Sequence, residues 1–330
     1  MRGFLLSMLV LTGGCSDATD PPPPVMRTVS GVVETGDLIA GATVFADIDG
    51  DNVLGDDEIS TTTDATGHFT LSYLEPVNVP HSPDAVAHAI GAIITADNTR
   101  VGVDGPNNTV GIDIRMRAPA TDTTVVSPLS TMEESYLDVF LDDPHNGASD
   151  FLDSPILYSE MRFDIHDPAP LLLTDYVTDS TAGTATSTDS ARLRLIATAL
   201  AGTISVIVDH LDAAQPDTDF YSNPYYQHTL FALDDHVDDL STGVYYFAHL
   251  TPEEQQDIIT NGADYADRFI DLDALRDALK SALEEGAIHL EAEAIQYLED
   301  VFIEEMKDKL ITAIASEVSA VALEIALEAI

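Results

Sequence analysis

Acidic residues recur at a fixed spacing in one short stretch of the chain, residues 47–58. Asp47, Asp49 and Asp51 stand at positions 1, 3 and 5 of this stretch, and Glu58 stands at position 12. Segments with the residue pattern of β-strands lie on both sides of it. Carboxylates that converge in this way repel one another unless a cation lies between them. The stretch therefore predicts a tight loop, between two strands, that can surround a cation.

The spacing indicates calcium, which takes about six to eight oxygen ligands, most of which one loop can supply. We expect side-chain oxygens from Asp47, Asp49 and Asp51, the backbone carbonyl of Val53, and a closing carboxylate from Glu58. The pattern is that of an EF-hand loop. The alternative is a solvated acidic turn that binds no ion.

The loop departs from the EF-hand pattern in residue choice and in context. Asn52 stands at position 6, where glycine is usual, although asparagine tolerates a left-handed backbone better than most residues. Gly55 has no side chain, so water would fill that ligand position. EF-hand loops join two helices, whereas this loop joins two predicted strands. We therefore expect a calcium loop on a β-module and not a paired EF-hand sensor.

The charge of the chain narrows the classes of partner. There are 58 acidic residues against 13 Lys and Arg, which gives a formal net charge of −45. Nucleic acid is not expected as a partner, because phosphate binding requires clustered basic side chains. The charge is spread along the chain, which is typical of a solvated surface in salty water, where screening weakens the repulsion.

The first fifteen residues have the composition of a secretory signal. Arg2 precedes an apolar run at residues 4–11, which is too short to span a bilayer as a helix. Small residues then lead to Cys15, the only cysteine of the chain. This order resembles the lipobox of bacterial lipoproteins, although Thr12 stands where that family prefers leucine. The resemblance implies acylation of Cys15; the alternative is an ordinary signal peptide in which this cysteine has no role.

A lipid on Cys15 implies an exported protein that is held in a membrane, at the outer membrane or the cell surface. Residues 16–26 contain four successive prolines, which favour an extended polyproline II tether between the anchor and a folded body. One cysteine excludes a disulfide within the chain, so the folded body relies on its core, on metal, or on both.

Beyond the tether, the patterning predicts an α+β chain with more than one domain. An antiparallel β-sandwich is expected over residues 27–126 and an all-α domain over residues 127–330. The predicted strands are residues 29–33, 42–46, 59–63, 68–72, 86–95 and 110–116, with a hairpin-type turn at 64–67. Three predicted helices begin at Ser127-Pro128, at Asp167-Pro168 and at the capping box of Thr251. Others are predicted over residues 189–213, 225–240 and 271–285, with a loop at 174–188. Residues 287–330 contain no glycine or proline, which predicts one long helix or two stacked helices.

Three strand segments carry a resemblance to a known class of module. They read VSGVV at 29–33, IAGATVF at 39–45 and TTDATGHFT at 62–70. Together with the acidic loop, they resemble prealbumin-like sandwich modules of bacterial surface proteins, which include carboxypeptidase regulatory-like domains and collagen-adhesin B-type repeats. The resemblance covers about residues 28–131, and it implies a structural or adhesive role.

Enzymatic motifs are absent from the sequence, and we expect no enzyme. There is no HExxH pair, no G-x-S-x-G elbow and no phosphate-binding P-loop. One region of the helical half is rich in aromatic residues, which are Tyr221, Tyr225, Tyr226, Tyr245, Tyr246 and Phe247. These rings either pack a core or bind a sugar or peptide by stacking.

The sequence thus favours a structural or adhesive calcium-binding lipoprotein with a protein or carbohydrate partner. The alternative is a ligand-binding or hydrolytic domain in the helical half. A concave aromatic pocket between residues 220 and 250 would favour this alternative, and a filled core would favour the first interpretation.

Overall fold

The computed structural model describes residues 25–75, 89–102, 108–120, 123–141, 175–181, 187–215, 217–222, 225–234, 236–261 and 270–285, with residues 303 and 307. The strands in these ranges are β1 (Val25–Val33), β2 (Ile39–Ala40), β3 (Thr43–Asp47), β4 (Ser60–Thr62), β5 (His68–Glu75), β6 (Ala89–Ile94), β7 (Thr99–Arg100), β8 (Ile114–Pro119) and β9 (Thr123–Val126). The helices are α1 (Pro128–Leu141), α2 (Tyr176–Thr181), α3 (Ser187–Ala214), α4 (Tyr225–Asp234), α5 (Val237–Ala248), α6 (Pro252–Thr260) and α7 (Leu272–Glu285). The predicted α+β class is confirmed.

The strands form two main sheets. One has the order β5-β1-β9, and the other has the order β4-β3-β6-β8. Every pair in the second sheet is antiparallel, whereas β9 runs parallel to β1 in the first. Valine and isoleucine side chains from both sheets, such as Val29, Val44 and Ile90, are buried in one hydrophobic cluster. The arrangement is sandwich-like, but the parallel β1–β9 pair departs from the predicted antiparallel sandwich.

Several features of the β-rich part differ from those predicted. The strand predicted at 110–116 is β8, which begins only at Ile114 and continues to Pro119. β1 begins at Val25, where Val25 pairs with Glu75 and Met26 pairs with Leu74, so the predicted tether (16–26) extends two residues too far. The turn at residues 64–67 is present, with the Gly67 N–H bonded to the Asp64 carbonyl at 3.1 Å. The strands on either side of it, β4 and β5, nevertheless pair in different sheets, so the turn connects sheets and does not close a hairpin.

Two helical predictions also require correction. The predicted loop at 174–188 contains the short helix α2 and the start of α3. The predicted single helix at 225–240 is divided into α4 and α5. At the division, the His236 N–H bonds to the Leu233 carbonyl, an i→i−3 bond that ends the regular helix. The predicted helices at Asp167-Pro168 and at 287–330 lie outside the described residues, apart from positions 303 and 307.

The predicted helix starts at Ser127 and Thr251 are confirmed. Ser127 and Ser130 exchange backbone N–H to side-chain Oγ bonds of 2.9 and 3.1 Å before α1. Thr251 and Glu254 form the reciprocal capping box of α6. Each side chain satisfies a backbone N–H that the first helical turn leaves without an intrahelical partner.

α3 is the central helix of the buried core. Within it, residues Arg192–Ala213 have the length and apolar composition of a membrane span, but 89% of the apolar window is buried inside the protein. Buried hydrophobic side chains of the helices and of the strands belong to one continuous cluster, which contains Leu200 and Leu230 as well as Val44. Packing against neighbouring elements therefore covers the apolar surface of this helix.

Candidate metal centre

The acidic stretch forms the connection between β3 and β4, as predicted. β3 ends at Asp47 and β4 begins at Ser60. The two strands are antiparallel neighbours, and the Ala46 N–H bonds to the Ile59 carbonyl at 3.1 Å to close the base of the loop. This closure brings Asp47 and Glu58, the first and last acidic residues of the stretch, close together at the base of the loop.

Three of the predicted side-chain ligands come together in the loop. One carboxylate oxygen from each of Asp47, Asp49 and Glu58 lies within 4.8 Å of the other two. Oxygens that bind one calcium ion at about 2.4 Å are at most about 4.8 Å apart, when they lie on opposite sides of the ion. The spacing of the three oxygens therefore fits a shared metal ion.

Backbone N–H groups hold two of these carboxylates in place. The N–H groups of Gly50 and Asn52 donate to the two oxygens of Asp47, at 2.8 and 3.2 Å. Those of Ile48 and Gly55 donate to the two oxygens of Glu58, at 2.7 and 3.0 Å. The loop thus fixes both carboxylates through main-chain contacts, which do not depend on mobile side chains.

The tight turn of the loop between Asp47 and Glu58 depends on two residues with a positive φ angle. Gly50 has φ of 76° and Asn52 has φ of 59°. Glycine adopts this region freely, and asparagine is one of the few other residues that enter it at low cost. The expectation that Asn52 can take the place of the usual glycine is confirmed by its left-handed backbone.

Burial makes Asp47 a weaker acid than an ordinary aspartate. Its side chain is 1% exposed. Loss of hydration, and to a lesser degree the nearby carboxylate of Glu58, raise the pKa of Asp47 from 3.8 to about 6, although Arg117 and the two backbone N–H donors act in the opposite direction. Without a cation, a negative charge at this position is costly. A bound divalent cation would reverse that cost.

The other two predicted ligands lie outside the three-carboxylate cluster. Asp51 is exposed, and its Oδ1 accepts a 2.8 Å hydrogen bond from the Val53 N–H. The structure therefore brings together Asp47, Asp49 and Glu58, whereas Asp51 and the Val53 carbonyl remain predictions as ligands.

Two long-range neighbours of the loop were not predicted from the sequence. Arg117 on β8 is 2% exposed, acts electrostatically on Asp47, and lies 3.8 Å from a carboxylate oxygen of Glu134 on α1. Asn52 donates from its side chain to the backbone carbonyl of Tyr221, at 2.7 Å. Both contacts join segments far apart in the sequence, and no local motif indicates them.

The aromatic region of the helical half is packed. Tyr221 and Tyr226 are buried, and their rings lie 5.3 Å apart. Their hydroxyls donate to the backbone carbonyls of Asp113 and Arg115, at 2.9 and 2.6 Å. Phe247 is also buried, whereas Tyr246 is 47% exposed. Tyr221 and Tyr226 therefore pack against the strand β8 and the residue before it, with both hydroxyls directed to backbone carbonyls.

The predicted lipidation residue, Cys15, lies outside the described residues. Comparison of the chain with protein-family models, curated proteins and solved structures found no match.

Proposed function

We propose that this chain is a calcium-binding structural or adhesive protein that is exported and anchored at the outer membrane or cell surface by a lipid on Cys15. The observation that carries the proposal is the convergence of Asp47, Asp49 and Glu58 within 4.8 Å at the end of a buried strand. A structural role fits an ion site that is built into the connection between two strands.

The chemistry of the donor set favours calcium over other cations. All three converging ligands are carboxylate oxygens, with no histidine or cysteine in the cluster. Hard oxygen ligands suit calcium and magnesium, whereas zinc and copper favour nitrogen or sulfur. Calcium accepts irregular coordination with additional ligands, which Asp51, the Val53 carbonyl and water supply in this proposal, while magnesium requires near-ideal octahedral geometry.

Occupancy of the site stabilises the folded state. Asp47 is buried and lies beside another carboxylate, so its ionised form is destabilised until a cation is bound. A ligand that binds only the folded state, at about one hundred times its Kd, adds about 2.7 kcal/mol to the free energy of unfolding. With one cysteine in the chain, metal replaces the disulfides that stabilise many exported domains.

The proposed location depends on the N-terminal pattern. In the sequence, the signal-like residues end at Cys15, and only the proposed proline tether separates Cys15 from β1, which begins at Val25. Stable anchoring requires two or more acyl chains, since a single chain binds membranes only reversibly. The resemblance of residues 28–131 to prealbumin-like surface modules supports the same location, with the helical part (127–330) as a second domain that presents a surface to a protein or carbohydrate partner.

The packed aromatic residues do not favour the alternative function. Tyr221 and Tyr226 are held by backbone carbonyls and by each other, so they offer no open stacking face to a sugar or peptide. These two rings therefore give no support to a sugar- or peptide-binding site.

Thermal melting of the full chain in calcium, in magnesium and in chelator tests the metal proposal. We expect calcium to raise the melting temperature by several degrees, and magnesium to raise it less. Asp49→Asn should abolish the calcium effect. Asp57→Asn is the matched control, because Asp57 is also an exposed aspartate of the loop but lies outside the cluster. Equal melting temperatures in calcium and chelator would remove the metal from the proposal.

Mass spectrometry of the mature N-terminus, after membrane fractionation, tests the anchor. An acylated Cys15 as the first residue supports the proposed location, with Cys15→Ser as the control that should lose the lipid and leave the membrane fraction. An unmodified Cys15 in the soluble fraction contradicts it.

A further inference from the structure

Asn52 connects the proposed calcium loop to the helical half of the chain. Its backbone N–H donates to Oδ2 of Asp47, and its side-chain Nδ2 donates to the Tyr221 carbonyl at 2.7 Å. The side chain is completely buried, and its Oδ1 has no hydrogen-bond partner among the described residues. A single residue therefore contacts both a proposed metal ligand and the connection between α3 and α4.

Described residues of that connection, together with the start of α4, lie against β8 and the residue before it. We call these residues, 219–222 and 225–226, the docking segment. Tyr221 donates from its hydroxyl to the Asp113 carbonyl, and Tyr226 donates to the Arg115 carbonyl. Arg115 in turn forms a 2.9 Å ion pair with Asp219 and lies 5.2 Å from the centre of the Tyr221 ring. These contacts hold the docking segment on the sheet through side chains of both partners.

The charge at the loop also reaches β8. Arg117 follows Arg115 by two residues on this strand, and its positive charge acts on Asp47. Arg117 also lies 3.8 Å from Glu134 on α1, with both side chains buried. A change of charge at the loop therefore changes the electrostatic energy of Arg117, which lies on the strand that the docking segment contacts.

Burial of the Asn52 Oδ1 without a hydrogen-bond donor costs free energy. The buried position of this side chain therefore depends on the backbone conformation of the loop. The left-handed conformation of Asn52 and its N–H bond to Asp47 supply that constraint. Repulsion between Asp47 and Glu58 in the metal-free loop weakens the constraint, and a bound cation strengthens it.

We infer that calcium binding at the loop is coupled, through Asn52, to the contacts that the docking segment makes with the sheet, so that calcium fixes the helical half against the β-rich half. This inference rests on the proposed calcium site and deepens it. Coupling of this kind is reciprocal: calcium binding favours docking of the segment, and docking of the segment favours calcium binding by the same free energy.

Hydrogen exchange of the full-length protein in calcium and in chelator, followed by mass spectrometry, tests the coupling. We expect calcium to slow amide exchange about tenfold in peptides that cover residues 217–226, as well as in the loop itself. The calcium midpoint of this protection should match the midpoint of binding measured by calorimetry on the same protein.

Asn52→Gly separates binding from coupling. Glycine accepts the positive φ angle and is the usual residue at this loop position, so calcium should still bind and protect the loop. The variant lacks the side-chain bond to Tyr221, so calcium should no longer slow exchange in residues 217–226. Asn261→Gly, an exposed asparagine at the end of α6, is the matched control and should behave as the parent protein.

The outcomes distinguish the inference from the proposed function. Calcium binding without protection of residues 217–226 overturns the coupling alone, as does full protection in Asn52→Gly. Absence of calcium binding by calorimetry overturns both. If Asn52→Gly does not fold, the comparison of the two midpoints in the parent protein decides, and midpoints that differ by more than about tenfold overturn the coupling.

Discussion

Arg194 forms a 2.6 Å ion pair with Asp37, with side chains that are 5% and 15% exposed. Arg194 lies on α3, and Asp37 lies in the turn between β1 and β2; the Arg194 Nε also donates to the Gly36 carbonyl. Removing one partner of a buried pair leaves an uncompensated charge, at a cost of about 3–5 kcal/mol. We therefore expect Arg194→Leu to lower the free energy of unfolding by about 3 kcal/mol or more in chemical denaturation.

Arg276→Leu provides the control for this prediction. Arg276 pairs with Asp273 and Asp277, whose side chains are 75% and 71% exposed. Pairs of this type contribute about 0–1 kcal/mol, so the control should unfold close to the parent protein. Equal losses in the two variants would contradict the assignment of Arg194 to the junction between sheet and helices.

Gly36→Ala should destabilise the same junction. Gly36 has φ of 126°, and a Cβ at this position would overlap the Thr198 Oγ1 on α3. Gly102→Ala separates the two effects, because Gly102 has φ of 83° but a Cβ there would meet no atom of the described residues within 4 Å. We expect about 1–2 kcal/mol of loss at Gly102 from backbone strain alone, and a clearly larger loss at Gly36. Chemical denaturation of both variants measures the difference, and equal losses would contradict the close approach of α3 to this turn.

Glu34→Gln should stabilise the protein at neutral and alkaline pH. Glu34 is completely buried, and burial, followed by the nearby charge of Asp175, raises its pKa well above 4.5. Because its pKa is higher in the folded than in the unfolded protein, Glu34 contributes to stability in its protonated form. This contribution is complete below the pKa of the unfolded state and is lost as pH rises through the pKa of the folded state. Glutamine cannot ionise, so the variant should melt higher than the parent at pH 8, and the difference should shrink towards pH 4.

The exposed Glu253 supplies the control for Glu34. Glu253 lies in the first turn of α6, where a carboxylate is favourable, so Glu253→Gln relieves no buried charge and should not melt higher than the parent protein. A gain in melting temperature for Glu34→Gln that is equal at pH 4 and pH 8 would show that the ionisation of Glu34 is not its cause.

Calcium stabilisation should depend on pH through Asp47. Burial raises the pKa of Asp47 to about 6 in the metal-free protein, so the ionised form that calcium requires is lost as pH falls through that value. We expect the apparent calcium affinity to fall up to about tenfold for each pH unit below 6 and to be nearly constant above 7. Melting curves at pH 5 and pH 7.5, each in calcium and in chelator, measure this. A calcium shift of equal size at both values contradicts the role of Asp47.

The metal loop could be predicted because its geometry is local. Asp47, Asp49 and Glu58 belong to one short connection, and their spacing alone indicates convergence. The caps at Ser127 and Thr251 were predictable for the same reason, since each involves residues three positions apart.

The rest of the arrangement depends on partners that are distant in the sequence. The turn at 64–67 is a local feature and was predicted, but the sheet that each flanking strand joins is decided by β1 and β3. The bond between Asn52 and Tyr221 spans 169 positions, and the pair of Arg194 and Asp37 spans 157. Such contacts arise from the packing of whole elements, which residue patterns along the chain do not specify.

Isothermal titration of calcium into chelator-treated full-length protein measures the proposed site itself. We expect one saturable calcium ion per chain, with binding lost in Asp47→Asn and retained in Asp57→Asn. Absence of saturable binding, or binding that Asp47→Asn leaves unchanged, would contradict it.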